Sequence, residues 1–193
     1  MRRRVFVAVN LDAQRIESIK KMVDGLKSEI PAELLRNIRF LPPDNWHLTV
    51  SFLGYQDEDG LVKIIDAIRL AALNFVAPEI TLDKLLYGPP KKSPRMIWLL
   101  GDKKTSAALN EIRNFLEDEL EARDVAFARE KRKFNAHLTL ARFGADFRDN
   151  VSLPTIHRDV NLKFRAESLD FMESELKKGG AEYTILQQFT FRE

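Results

Sequence analysis

Two of the three histidines in this 193-residue chain stand in the same tripeptide, His-Leu-Thr. The two copies extend to four residues each: His47, Leu48, Thr49 and Val50, then His137, Leu138, Thr139 and Leu140. A single His-Leu-Thr carries little information, because such a short string arises often by chance. Its repetition in a chain so poor in histidine indicates one site built from two halves.

The spacing of each motif predicts which chemistry it can perform. Residues i and i+2 of a strand point to the same side, so His47 and Thr49 share one face, as do His137 and Thr139. Imidazoles with an ordinary pKa of roughly 6.5 supply a base and an acid near neutral pH. Threonine hydroxyls donate hydrogen bonds to oxyanions. This set suits attack of water on a phosphodiester, with one imidazole as base and the other as acid, and needs no metal.

Other interpretations of the histidines are weaker. A zinc site needs a third protein ligand and a recognisable spacing such as HExxH, and neither motif offers one. Cysteine is absent, which excludes disulfides, thiolate metal sites and thiol nucleophiles. Two core histidines satisfied by their neighbours remain an alternative, but repetition disfavours it. The third histidine, His157, has no partner pattern, and we expect it in a surface loop.

The elements that must position the motifs follow from the hydrophobic pattern. The first half predicts the order βαββαβ: strands in "RRRVFVAVNL", "NIRFL", "WHLTVSFLG" and "EITLDKLLYG", with a helix from Asp12 to Pro31 and another through residues 61–72. The second half predicts strands in "RMIWLLGD", "VAFAR" and "AHLTLARFG", a helix over 109–120, and final strands around 160–172 and 181–191.

The two halves share one register, which predicts an internal duplication. The histidines lie 90 positions apart, at 47 and 137, and the motif occupies the same place in each half. We therefore expect one bilobal domain over 1–193, made of approximately 1–90 and 91–193. The predicted fold class is α+β, with two pseudo-twofold-related antiparallel sheets, helices packed outside and a central cleft. Two unrelated layers that share an order are the alternative.

The composition limits the class of protein. Apolar residues make up 45% and charged residues 31% of the chain, and the formal net charge is +2. These values are typical of a soluble globular domain and do not by themselves indicate nucleic acid as a partner. No apolar run reaches the roughly 20 residues that span a bilayer. The start reads as a first strand rather than a secretory signal, so we expect a cytoplasmic protein, and nothing demands more than a monomer.

These residues resemble a known family. "HLTV" and "HLTL" match the duplicated HxTx motif of the two-histidine phosphoesterase superfamily, and the segments "RVFVAVNLD", "RFLPPDNWHLTVSFLG" and "FNAHLTLARF" are similar to its RNA 2′,3′-cyclic phosphodiesterase branch, historically called 2′-5′ RNA ligases. The resemblance implies hydrolysis of a 2′,3′-cyclic phosphate at tRNA-type RNA ends or on cyclic nucleotides to a 2′-phosphate, with no metal or cofactor. Reversible 2′-5′ ligation is a further implication.

The resemblance also implies residue roles. His47 becomes the proton donor and His137 the proton acceptor, which reasoning from the residues alone leaves open. Arg142 binds the phosphate, although strict alternation turns it away from His137, so a bulge or a strand end must re-aim it. Asn135 and Ala136 stand where the family usually has a proline before the second histidine, which affects the local turn more than the chemistry.

Further residues are weaker candidates. Phe6 and Asn10, at alternate positions of the first strand, are candidates for the cleft floor, with simple burial as the alternative. The basic segments 89–95 and 129–133 have the charge to contact RNA phosphates, but solvated hairpin tips are favoured. Trp46 is expected to pack in the core.

A binding-only function is the competing hypothesis. "VFVAVNL" resembles the shorter signature of RNA-recognition sheets, and such domains share the βαββαβ order. The longer aromatic signature of those domains is missing from the sequence, and a binding module gives no reason for two His-Leu-Thr copies. The sequence therefore favours an enzyme.

Overall fold

The computed structural model describes residues 2–89, 94–144, 153–178 and 180–193. These contain nine strands and four helices. The strands are β1 (Arg3–Asn10), β2 (Ile38–Phe40), β3 (His47–Gln56), β4 (Glu79–Gly88), β5 (Met96–Gly101), β6 (His137–Phe143), β7 (Arg158–Arg165), β8 (Ser168–Lys177) and β9 (Gly180–Thr190). The helices are α1 (Ala13–Glu29), α2 (Ala32–Leu35), α3 (Glu58–Asn74) and α4 (Lys103–Glu121).

The described strands form one antiparallel sheet in the order β7-β4-β5-β6-β3-β1-β8-β9, with β2 paired to β6. The predicted α+β class and antiparallel pairing are confirmed, although the described strands join in one continuous sheet instead of two separate ones. The two lobes are the strand groups β7-β4-β5-β6 and β3-β1-β8-β9, which meet where Leu48 of β3 pairs with Leu138 of β6. The two motif strands are therefore neighbours at the centre of the sheet.

The chain crosses between the lobes instead of completing one before the other. β4 precedes residue 90 yet pairs with β5 and β7, and the C-terminal hairpin of β8 and β9 pairs with β1. Strands of each half of the chain therefore pair with strands of the other half, and the duplication over approximately 1–90 and 91–193 stays a prediction.

The long helices begin where the sequence provides an N-cap. Asp12, Asp57 and Asp102 each accept a hydrogen bond from the backbone N–H three residues later, which satisfies a donor at the start of α1, α3 and α4. Each helix buries one apolar face; in α4 this face includes Leu109, Leu116 and Leu120. These faces cover one side of the sheet and leave the histidine side open.

Two predicted strands need correction. "VAFAR" is not a strand: the Val125 N–H bonds back to Leu120, and the carbonyl of Ala126 accepts from the Gln56 side chain instead of a neighbouring strand. The stretch predicted as one strand over 160–172 is two, because the chain turns at Ala166, whose N–H donates to Pro78. The predicted strand over 181–191 corresponds to β9.

No helix among the described residues is long and apolar enough to cross a membrane. The cytoplasmic location stays a prediction. His157 is exposed, as expected.

Candidate active site

The pairing of β3 with β6 places the two motifs side by side. Leu48 and Leu138 face each other across the strands, and both are fully buried. The antiparallel register then sets His47 beside Thr139 and Thr49 beside His137 on the opposite face. That face is half-buried at all four side chains, as the alternation in each motif predicts.

Each motif contains a β-bulge at its fourth residue. The register of β1 and β3 shifts so that Val50 is the extra residue, and the register of β5 and β6 shifts so that Leu140 is. Both extra residues are buried beside a second buried residue. The bulge returns the side chain five places after each histidine, Phe52 or Arg142, to the histidine face.

Of the two features expected to re-aim Arg142, a bulge or a strand end, the structure shows the bulge. Its side chain is exposed on the histidine face. Burial is the largest cause of the lowered pKa of His47 and of His137, and the positive charge of Arg142 lowers both further. A cation on this face can attract an anion held between the two rings.

His47 sits in an aromatic pocket. Its ring centroid is 4.9 Å from that of Phe6 and 5.0 Å from that of Tyr183, which meets it edge-on. Burial lowers the pKa of the imidazole from its ordinary 6.5 to about 4, against the opposing effect of a backbone interaction at Asn45. The Nε2 atom lies 3.1 Å from the Thr49 hydroxyl. Nδ1 is buried and does not reach full hydrogen-bond geometry with any described residue.

His137 is held more firmly. Its Nδ1 lies 2.8 Å from the carbonyl oxygen of Asn135. Because a carbonyl only accepts, this bond requires the proton on Nδ1 and leaves the lone pair of a neutral ring on Nε2. The ring packs against the indole of Trp98 with centroids 4.1 Å apart. Burial lowers the pKa of His137, and the Asn135 hydrogen bond opposes that effect.

The two cleft-floor candidates lie beside His47 but differ in exposure. Phe6 is only 2% exposed, so it supports the ring of His47 and offers little surface of its own. Asn10 pairs with His47 across β1 and β3, and its side-chain amide donates to Asp170 at 2.6 Å. Trp46 is buried, as expected.

Three aromatic residues of the site were not predicted. Trp98 stacks on His137, Tyr183 contacts His47, and Phe52 is 44% exposed on the same face under the guanidinium of Arg4. The repeat itself contained a signal for Phe52, because it stands five places after His47 as Arg142 does after His137. Trp98 and Tyr183 are single aromatic residues in apolar strands and carry no such signal.

The structure describes the basic segment 129–133 in full and the basic segment 89–95 only in part. Most of 89–95 lies outside the described residues, namely 90–93. In 129–133, Arg129 is neutralised by ion pairs with Glu117, Asp118 and Glu121, and Arg132 pairs with Glu130. Lys131 and Lys133 form no ion pair with a described residue. Within the described part of the chain, no three His, Asp or Glu side chains are grouped so as to hold a metal ion.

Known proteins are similar to this chain in sequence and in fold. The sequence model of the family described as LigT-like phosphoesterase matches residues 15–98. An RNA 2′,3′-cyclic phosphodiesterase of Archaeoglobus fulgidus is 30% identical over 170 residues, which cover 88% of this chain and 85% of that protein.

Solved structures agree on the fold. A Thermus thermophilus protein superposes with a TM-score of 0.79 over 98% of both chains at 24% identity. E. coli LigT complexed with 3′-AMP superposes with a TM-score of 0.71 over 100% of both chains at 23% identity.

Proposed function

Because the chain belongs to the LigT-like phosphoesterase family, we propose that it is an RNA 2′,3′-cyclic phosphodiesterase acting through His47 and His137. The observation that carries the proposal is the Leu48–Leu138 pair, which brings both histidines and both threonines to one face. Relatives named for this activity match most of the chain, which supports the substrate class.

The proposed step is an in-line displacement at phosphorus. His137 takes a proton from water through Nε2, the nitrogen left free by its bond to Asn135, and the water oxygen forms the new P–O bond. The P–O3′ bond breaks, and protonated His47 gives its proton to the leaving O3′. The product is a 2′-phosphate, and the protons balance after the rings re-equilibrate with solvent.

Thr49, Thr139 and Arg142 are proposed to stabilise the developing charge. The two hydroxyls donate to the non-bridging oxygens, and the guanidinium supplies a positive charge that is in place before the reaction begins. Asn10 and Phe6 are proposed to hold His47 and the ribose side of the site. None of these steps assigns a role to a metal or a cofactor.

The proton donor needs help from the substrate. With a pKa of about 4, His47 is neutral in the free protein at pH 7. A bound phosphodiester places a negative charge beside the ring and favours its protonated form. The proposal therefore requires that substrate binding raise the pKa of His47.

Ligation is the same displacement with another nucleophile. If the 5′-hydroxyl of a second RNA replaces water, His137 takes its proton and a 2′–5′ phosphodiester forms. We propose this reaction as a secondary activity on tRNA-type ends. Joining of a cyclic-phosphate RNA to a 5′-hydroxyl RNA, followed on a denaturing gel, tests it separately from hydrolysis.

The main test uses a 2′,3′-cyclic mononucleotide in the presence of EDTA. We expect the wild type to release the nucleoside 2′-phosphate, and we expect His47→Ala and His137→Ala to lose at least about 100-fold in kcat, as general acid–base catalysts do. His157→Ala is the control and retains full activity. No turnover by the wild type, or undiminished turnover by both variants, overturns the proposal.

A further inference from the structure

A second concave surface begins two residues before His137. It is a cleft of about 530 Å³ between the first half of α4 and residues 131–135. This surface, the α4 cleft, is lined by side chains that include Lys103, Asn110, Arg113, Asn114, Lys131 and Lys133. Asn135 also lines this cleft, and its carbonyl holds His137, so the cleft and the candidate active site share a wall.

The charges that line the α4 cleft are mostly positive. The side chains of Lys103, Lys131 and Lys133 are exposed and form no ion pair with any residue in the described ranges. One acid, Asp102, also lines the cleft, and its carboxylate caps α4 through the N–H of Thr105. The lysines outnumber this carboxylate, so the lining of the cleft is positive on balance.

A buried arginine marks the floor of the cleft. Arg113 is only 8% exposed; it donates to Asn110 at 2.8 Å and lies 4.9 Å from the ring centre of Phe134. Its Nε is buried without a hydrogen-bond partner among the described residues. The charge of Arg113 also interacts with the carboxylates of Glu117 and Glu130, so the guanidinium is a structural part of the cleft floor and contributes to its potential from below the surface.

We infer that the α4 cleft binds the backbone phosphates of the RNA strand whose cyclic phosphate lies between the histidines. This inference rests on the proposed function. A 2′,3′-cyclic phosphate ends an RNA at its 3′ side, so the strand can leave the site only toward its upstream nucleotides. The cleft offers lysines without ion pairs to any described residue, amide side chains and a buried arginine, and it begins two residues before His137. These features fit a single-stranded polyanion.

The test compares two substrates with one reacting end. A 2′,3′-cyclic mononucleotide reaches only the histidines, whereas a ten-nucleotide single-stranded RNA ending in a 2′,3′-cyclic phosphate also reaches the α4 cleft. In Lys131→Ala/Lys133→Ala we expect kcat/KM for the RNA to fall about 10-fold at low salt. Its dependence on log[salt] should become shallower by about 0.7 per lost phosphate contact. Hydrolysis of the mononucleotide should stay unchanged.

Two further variants make the test specific. Lys20→Ala/Lys21→Ala on α1 removes the same charge from exposed positions elsewhere and should leave RNA hydrolysis unchanged. Asn114→Asp keeps the shape of the cleft and adds a negative charge. It should weaken binding and hydrolysis of the RNA substrate and leave hydrolysis of the mononucleotide unchanged. Equal effects of the two lysine pairs, or equal losses on both substrates, overturn the inference.

The inference and the proposed function fail in different ways. If the wild type hydrolyses neither substrate, the proposed function fails. Fluorescence anisotropy of a labelled 3′-phosphate RNA still measures whether the cleft binds RNA. If hydrolysis proceeds but the cleft variants bind this RNA as the wild type does, only the inference fails. A polyglutamate peptide of equal charge is compared with unlabelled RNA as a competitor. If the peptide displaces the labelled RNA at the lower concentration, the cleft binds a protein partner and the inference is overturned.

Discussion

Leu48 and Leu138 face each other across β3 and β6, and this contact is the one registered pair that joins the two motif strands. Both side chains are fully buried on the helix side of the sheet. The catalytic candidates on the other side depend on that register, because a slip of one residue turns every side chain to the opposite face. The apolar residue within each motif is thus as important for the site as the polar ones.

This arrangement separates the effects of neighbouring substitutions on stability and activity. Leu138→Ala should lower the free energy of unfolding by about 2–5 kcal/mol through the cavity it leaves. Thr139→Val and Thr49→Val keep the volume and should lower kcat with little change in stability. Leu73→Ala, at a side chain that is 60% exposed, is the control for the leucine deletion. Urea unfolding and turnover measured together decide, and parallel losses in the threonine variants indicate a packing role instead.

The repeated motif made the centre of the site predictable. Two His-Leu-Thr copies and strand alternation were enough to predict which four side chains share a face. The same alternation predicted that a bulge or a strand end must re-aim Arg142, and left the choice between them open. The sequence did not predict that β4 pairs with β5 or that the β8–β9 hairpin pairs with β1. Strand pairing between distant segments leaves no local pattern in the sequence. "VAFAR" has the composition of a strand but finds a side chain, Gln56, in place of a partner strand.

The lowered pKa of His47 predicts a loss of stability in acid. Between pH 6.5 and about 4, the unfolded chain binds a proton at this histidine that the folded chain excludes. Lowering the pH from 7 to 5 should therefore reduce the free energy of unfolding by about 2 kcal/mol through this group. His47→Gln should show a correspondingly weaker dependence over that window. Equal pH dependence in both proteins would contradict the lowered pKa.

The pH dependence of activity should report the pKa values of the two histidines with substrate bound, and these differ from the values in the free protein. Since one ring must be neutral and the other charged, the dependence of kcat on pH should be bell-shaped. The acidic limb reports His137 and the basic limb reports His47 with substrate bound. A bound phosphate should also raise the pKa of His47, measured by NMR titration with and without a nucleoside 2′-phosphate. A profile flat from pH 5 to 8 contradicts the acid–base pair.

Arg142 couples electrostatically to both rings, so its removal has a readout independent of activity. Arg142→Gln should raise the pKa of His47 and of His137, because their unfavourable interaction with the guanidinium disappears. NMR titration of the two histidines measures both shifts. We also expect kcat/KM to fall about 10- to 100-fold, as for a lost charge-assisted hydrogen bond. Arg69→Gln, exposed on α3, should change neither quantity.

Trp98 is expected to position His137, and a neighbouring glycine gives a way to move it. A Cβ at Gly88 would lie 2.3 Å from the indole of Trp98, whereas a Cβ at Gly25 meets nothing within 4 Å. Gly88→Ala must therefore displace the indole or the strand, and it should lower kcat and shift the pKa of His137. Gly25→Ala, inside α1, should instead stabilise the fold by up to about 1 kcal/mol and leave activity unchanged.

Fluorescence reports the contact between Trp98 and His137 directly. In a Trp46→Phe background Trp98 is the remaining tryptophan, since the chain has 2 in all. Its emission should titrate with protonation of the imidazole 4.1 Å away, with a midpoint below pH 6.5 because burial lowers the pKa of His137. The titration should vanish in His137→Gln. Were it to persist there, or were Gly88→Ala to leave both the midpoint and kcat unchanged, the positioning role of Trp98 would be wrong.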